Sequence, residues 1–496
     1  MSRILPRRRV PSPRPSALPS PRLSPVRAAV TATPTARWLL AAALLLPAAP
    51  ALAQSAAGGT PPLTLRAVPA TEVQPGEVAL TLEDAIARGL QHNLAAIAAE
   101  ADVDDARGAQ LRSLSTLLPH VSGDVRQTRQ VVNLAAFGFT GFPGIPDVIG
   151  PFDVFDARVA LHAPIFDLEG LRELQSSRAD LQADRATLGQ TRETVILVIG
   201  SLYLEAVTDR ARADAAQAEL ETARTLLQVA RDQQAAGVAA GIDVLRQQAQ
   251  LEAATARQIA TANTFEKQKL ALARAIGLPA GQAFALASHP EYVAAPAVDP
   301  DAALATALAS RHDLRAALAR VAAARAERQA AGASRLPSVH VDADYGRLGT
   351  AAASTESTYT VGASVHVPIF DGGATRARGV EADADVRRRE AELADLEAGV
   401  RFDVRTALLD IGAADARVHV ASTQRDLARE ELTQAGDRFR AGVASSIELA
   451  RAQDAVAAAD EQYIASVQAH ILAKASLARA MGQVEARFVD LVGGRP

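Results

Sequence analysis

The chain carries one structural unit twice, and this limits its fold more than any other feature. Ala163-Pro164-Ile165-Phe166-Asp167 returns as Val367-Pro368-Ile369-Phe370-Asp371. Ala236-Gly237-Val238-Ala239 returns as Ala441-Gly442-Val443-Ala444, and Ala275-Ile276-Gly277 as Ala480-Met481-Gly482. The last two pairs share an offset of 205 residues, a register that chance rarely preserves. A repeat of roughly two hundred residues is far longer than a solenoid unit, so two pseudo-symmetric halves are expected.

Each half predicts long helices. After Asp167 no proline occurs until Pro279, and after Asp371 none until Pro496. In the first stretch Val195, Ile199, Leu202, Ala206, Asp209, Ala213, Ala216, Leu220, Ala223 and Leu227 step by four and three. In the second, Val400, Val404, Ala407, Ile411, Ala414, Val418, Ala421, Arg425, Ala428, Leu432, Ala435 and Phe439 do the same. Only Asp209 and Arg425 among them are charged, so each row reads as a heptad seam that winds one helix around a neighbour. Each helix should run from its Phe-Asp pair to its Ala-Gly pair, about 70 residues or on the order of 100 Å. Gly237 and Gly442 end these helices. Ile242 and Ile447 open returning helices that reach Gly277 and Gly482. A shorter helix precedes each long one, Leu82 to Leu118 and Ala303 to Leu336, ended by Pro119 and Pro337. Taken alone, the helices fit a soluble exported coiled-coil scaffold or adaptor as well as the wall of a duct.

Between those prolines and the Pro-Ile-Phe-Asp motifs the period changes to two. Val339, Val341, Ala343 and Tyr345 alternate with polar residues, as do Tyr359, Val361, Ala363, Val365 and Val367. Phe155, Ala157, Val159 and Leu161 alternate with Asp156, Arg158 and His162, and Val121, Gly123 and Val125 form a weaker partner. These are two hairpins of strands about ten residues long, enough to cross a bilayer when tilted. One face would meet lipid and the other a watery lumen; a small soluble β-subdomain packed on a helix satisfies the same pattern. In lipid, four strands cannot close a barrel and open edges are not tolerated, so a membrane barrel would have to be shared between chains. Two chains would supply eight strands with a filled interior, three would supply twelve, and a conduit favours three.

Residues 1–53 carry eight Arg, no acidic residue, the apolar run Trp38 to Leu46, and Ala51-Leu52-Ala53. That is the pattern of a secretory signal cleaved before Gln54; nine apolar residues are too few for a membrane anchor. Removing it takes the formal charge from −4 to −12, which argues against nucleic acid as a partner. Only 4% of residues are aromatic and there is no Cys. The first suits helices packed through small side chains; the second excludes disulfides, thiolate metal sites and an acylated cysteine.

A helix, a hairpin, Pro-Ile-Phe-Asp, a long helix, Ala-Gly-Val-Ala and a returning helix, all duplicated, resemble the TolC-like outer membrane efflux proteins. The resemblance covers Leu80 to Gly482. It is most specific at Val367 to Gly373 and at Phe439-Arg440-Ala441-Gly442-Val443-Ala444-Ser445-Ser446-Ile447-Glu448-Leu449. It implies a mainly α fold with a β-hairpin pair per chain, forming a homotrimeric α-helical barrel continued by a shared twelve-stranded β-barrel in outer-membrane lipid. It also implies a passive exit duct that docks a periplasmic adaptor and, through it, an energised inner-membrane transporter of an efflux or type I secretion system. The domain plan is a signal peptide (1–53), a linker (54–79), a first repeat (80–285, strands about 120–163), a linker (286–300), a second repeat (301–485, strands about 338–367) and a tail (486–496).

Reading for chemistry finds no catalytic, cofactor-binding or metal-binding motif: neither a glycine-rich phosphate loop nor His-Glu-x-x-His. His162 and His366 fall on polar strand faces, read as a solvated surface, with a pore lining or a metal-binding ring as the alternative. The hairpin tips stand out because they are small and uncharged at the ends of charged rods. Gly237, Val238, Ala239, Gly442, Val443, Ala444 and Ser445 are expected to form a smooth docking surface, which the resemblance supports. Asp243 and Glu448 directly follow the tips; in the resemblance, acidic residues there ring the periplasmic entrance, with Arg451 standing where a second acidic position is expected. Pro119, Pro164, Pro337, Pro368, Gly372 and Gly373 mark the barrel-to-helix junctions.

Overall fold

The computed structural model describes residues 62–70, 75–138, 144, 146–279, 281–287, 292–295 and 297–492. The signal sequence, the first residues of the linker that follows it and the last of the tail lie outside them. Six strands and nine α-helices are assigned among the described residues: β1 Val78–Leu80, α1 Leu82–His92, α2 Leu94–Ser115, β2 His120–Asn133, β3 Val148–Phe166, α3 Leu168–Ala235, α4 Gly241–Ala275, β4 Phe284–Leu286, α5 Pro300–Ser310, α6 His312–Ala333, β5 Ser338–Gly349, β6 Thr355–His366, α7 Ala374–Arg440, α8 Ser446–Ala480 and α9 Val484–Val492.

The long helices are as the seams require. α3 has 68 residues and α7 has 67. Every seam residue of α3 and α7 is buried or half-buried, Ile199 and Val400 completely. α3 pairs with α4 and α7 with α8, the two helical hairpins of the duplication.

The shorter preceding helices differ from the sequence reading: each is two helices, of 11 and 22 residues, in both halves. The breaks fall at Asn93 (φ −69°, ψ 130°) and Arg311 (φ −59°, ψ 127°). Asn93 is buried; its side chain accepts from Ala95 N at 2.9 Å and donates to Thr64 O at 2.8 Å. Opposite each break lies a left-handed glycine at the end of the returning helix. A Cβ on Gly277 (φ +67°) would stand 2.7 Å from Val68 O and 2.9 Å from His92 Cβ, and one on Gly482 (φ +64°) 2.8 Å from Arg311 Cα. The repeated Ala-Ile-Gly and Ala-Met-Gly motifs therefore close each half upon itself.

The strands form one antiparallel sheet, order β2-β3-β5-β6, with β2 and β6 at its edges. The first hairpin is longer than expected, 14 and 19 residues against 12 and 12 in the second. In register, His120, His162, Asp342 and Gly362 lie side by side, as do Asp124, Arg158, Gly346 and Thr358. Cross-strand partners share a face. Even-numbered residues thus make a polar face, and odd-numbered ones a face with exposed Val125, Val159, Tyr359 and Val361. Part of the connection between β2 and β3 lies outside the described residues.

Away from the sheet, the main core surrounds the middle of α3. Val195, Ile199, Tyr203 and Val207 meet α1, α4, α8, α9 and the parallel pair β1–β4. The segment read as a C-terminal tail is mostly α9, whose Phe488 is 1% exposed and sits so close to Gly200 that a Cβ there would lie 2.2 Å from its ring. Val484 and Phe488, four apart on a helix, share one face and dock together. No helix among the described residues is long and apolar enough to cross a membrane.

Candidate functional site

The helices adjoining the strands line up in the same order as the strands. α2 lies against α3, α3 against α6 and α6 against α7. α2 leads into β2, β3 into α3, α6 into β5 and β6 into α7. Sheet and helix layer are thus one continuous wall, and both leave the same two sides open: α2 with β2, and α7 with β6.

The junction residues act differently in the two halves. Pro119 and Pro337 immediately precede β2 and β5. Pro164 lies inside β3, opposite His340, and only Asp167 separates strand from helix. Its carboxylate caps α3, accepting from Gly170 N at 3.0 Å. The second copy of the motif is not strand. β6 stops at His366, and the chain crosses Pro368 and the left-handed Gly372 (φ +66°) and Gly373 (φ +94°) before α7. β3 has neighbours on both sides, whereas β6 is an edge with nothing to extend its pairing, so Ile369 and Phe370 stand 95% and 89% exposed. Asp371 accepts from Gly373 N, Thr375 N and the Thr375 hydroxyl, and these bonds lower its pKa to about 2.

The two tips are built alike. Val238 N donates to Gln233 O at 2.9 Å and Val443 N to Arg438 O at 3.0 Å, closing each helix over a glycine of positive φ. The tips also meet, since a Cβ on Gly442 would lie 3.4 Å from Val238 Cγ1. Val238 and Val443 point outward, about two-thirds exposed; Ala239 and Ala444 are half-buried. Ser445 caps α8, accepting from Glu448 N at 3.3 Å.

Behind the tips the hairpins are tied by residues that the sequence reading missed. Gln233 Nε2 donates to Phe439 O at 2.8 Å. The buried Ser446 hydroxyl donates to Asp243 Oδ1 and accepts from Arg246 Nη1, the latter at 3.1 Å. Asp243 is therefore engaged with the second hairpin. Glu448 pairs at 2.8 Å with Arg438, on the preceding helix. Arg451, the residue equivalent to Arg246, is exposed and has no ion pair among the described residues. The available signal was the 205-residue offset, which relates Gln233 to Arg438 and Arg246 to Arg451.

No group of three or more His, Cys, Asp or Glu among the described residues is placed to hold a metal ion. A continuous wall of helix and strand with an apolar face, ending in helical hairpins, defines a membrane duct subunit. Residues 85–278 and 303–483 match the outer membrane efflux protein family, and the chain belongs to it. It is similar to the pyoverdine export outer membrane protein OpmQ of Pseudomonas aeruginosa, 26% identical over 81% of this chain and 85% of that one. It is also similar to protein CyaE of Bordetella pertussis, 31% identical over 64% and 67% of the two chains. The solved outer-membrane channel OprN shares the fold, with a TM-score of 0.69, 23% identity and coverage of 81% and 90%. The protein resides in the outer membrane and serves there as an exit duct.

Proposed function

We propose that three copies of this chain close head to tail into a homotrimer, with a twelve-stranded barrel in outer-membrane lipid continued by an α-helical barrel. The observation that carries this reading is the wall with two matching open sides. A sheet edge exposed to lipid leaves backbone donors and acceptors unpaired, at several kcal/mol each, and a ring removes the edges altogether. α7 supports it with exposed Phe402, Leu409, Val420 and Leu427, an apolar stripe at helical spacing uncovered in a single chain. The repeats bounding the wall are residues 80–285 and 301–485.

At the far end, the paired uncharged tips dock a periplasmic adaptor, which couples the duct to an energised inner-membrane transporter. Asp243, Glu448 and Arg451 surround the entrance. The ties from Asp243 to Ser446 and from Gln233 to Phe439 O hold the two hairpins together at that end, and loosening them widens the opening. The duct itself is passive; pyoverdine, for which one relative is named, is an example of the cargo such a duct carries.

The absence of cysteine makes a direct test simple. Val125→Cys on β2 is combined in turn with Tyr359→Cys, Val361→Cys or Ala363→Cys on β6. Within one chain these strands are three steps apart, roughly 14 Å, too far for a disulfide, whereas ring neighbours would be adjacent. Oxidation in isolated membranes should produce a ladder ending at three chains. Absence of cross-linking in all three pairs, or a ladder passing three, contradicts the reading.

A further inference from the structure

Four of the nine histidines, one on each strand, stand at the helix-side end of the sheet, stepping from the His120–His162 rung past His340, two residues on, to His366, opposite Ser338 and four residues on. His120 opens β2, His366 closes β6, His340 is the third residue of β5, and His162 lies four residues before the end of β3. All four are even-numbered and share the polar face, at the ends of the strands that adjoin the helices. His120 and His162 are direct cross-strand partners, and the rings of His162 and His340 stack with centroids 5.3 Å apart. His162 Nδ1 lies 2.6 Å from Asp342 Oδ1, and His340 Nε2 3.1 Å from Ser338 Oγ, while His340 Nδ1 is buried without a hydrogen-bond partner among the described residues. His120, His162, Asp342 and Asp344 border a cavity of about 190 Å³ that opens on this face.

We propose that these imidazoles form a girdle at the base of the barrel lumen that sets the charge preference of the duct according to pH. The proposal rests on the trimeric reading above, under which the polar face lines the lumen and twelve imidazoles encircle it. The other charges on this face are Asp124 and Arg126 on β2, Asp156 and Arg158 on β3, Asp342 and Asp344 on β5, and Glu356 on β6. With neutral imidazoles these five carboxylates and two guanidinium groups leave each chain at −3; with four imidazolium groups the sum is +1. Arg158 is already committed to Asp156 and Asp344, at 2.7 and 3.1 Å. Imidazole is the side chain whose charge changes between about pH 5 and 8. A ring of fixed charge selects against ions of its own sign, so the lumen should favour cationic solutes above that range and anionic ones below it.

The test is the reversal potential of the purified full-length protein in planar bilayers under a potassium chloride gradient, at about pH 8 and about pH 5.5. The potassium-to-chloride permeability ratio should fall about fivefold or more on acidification. A variant with His120, His162, His340 and His366 all changed to Gln should lose most of that shift. His120→Gln with His366→Gln, on the edge strands alone, should lose about half and serves if the fourfold variant fails to assemble. Glu448 at the entrance is present in every protein compared, so its contribution cancels. An unchanged wild-type ratio, or an equal shift in the variants, overturns the girdle while leaving the duct intact. Absence of any conductance at either pH overturns the duct and the girdle with it.

Discussion

Glu193→Gln should make the protein more stable at alkaline pH and leave it nearly unchanged at acid pH. Glu193 lies on α3 facing the α5–α6 break and α9, and is 9% exposed. Burial above all, then Asp313 and Glu485, push its carboxyl from an ordinary 4.5 up to about 7, partly opposed by Arg311 and Arg315. His312 stands 4.0 Å away, but burial and Arg315 lower its pKa, so it offers little positive charge in return. A pKa raised in the folded state means that folding holds the proton. That contribution is complete below about pH 4.5 and is lost as pH rises through about 7. A shift of roughly 2.5 units corresponds to a ceiling of about 3.4 kcal/mol, and relaxation around a partly hydrated site should leave about 1–3 kcal/mol. Gln keeps the size and drops the charge. Denaturant unfolding of the purified protein in detergent at about pH 5 and pH 8 reads this directly. If the variant gains nothing at pH 8, or gains equally at pH 5, the carboxyl is not held protonated by its surroundings and the reasoning fails.

Three further outcomes are expected. Gly482→Ala should cost about 2–4 kcal/mol, because its Cβ meets Arg311 backbone at a positive φ, whereas Gly237→Ala, in open space, should cost only about 1–2 kcal/mol by denaturant midpoint. Ser446→Ala leaves Asp243 and Arg246 without their shared hydroxyl; at about 1–3 kcal/mol this should raise resting single-channel conductance and increase sensitivity to large antibiotics added outside the cell. Val443→Arg places a charge on the tip proposed to dock the adaptor; cells should lose export by about tenfold or more, with outer-membrane assembly judged by heat-modifiable gel mobility unchanged.

The parts of the fold visible in the sequence are those fixed by local spacing. The four-three seams of α3 and α7, the left-handed tip glycines and the alternating strands each depend on residues close in the chain. The breaks at Asn93 and Arg311 were not visible because apolar spacing continues through them, and the close packing beside them comes from Gly277 and Gly482, far away in sequence. The two Pro-Ile-Phe-Asp motifs read alike but differ in structure, since one belongs to an interior strand and the other follows an edge. At the tips, the turn residues could be named from composition. The Ser446–Asp243 tie could not, because it pairs positions about two hundred residues apart through side chains that are unremarkable alone. The histidine cluster required register, which steps it from the His120–His162 pair past His340 to His366 across one end of the sheet.

In the proposed assembly the open wall of one chain is completed by two others. Light scattering of the detergent-purified protein, with the bound detergent subtracted, measures the subunit count directly. The protein mass should be three times that of the mature chain and unchanged on dilution. A stable monomer or dimer that still folds with its strands intact would contradict it.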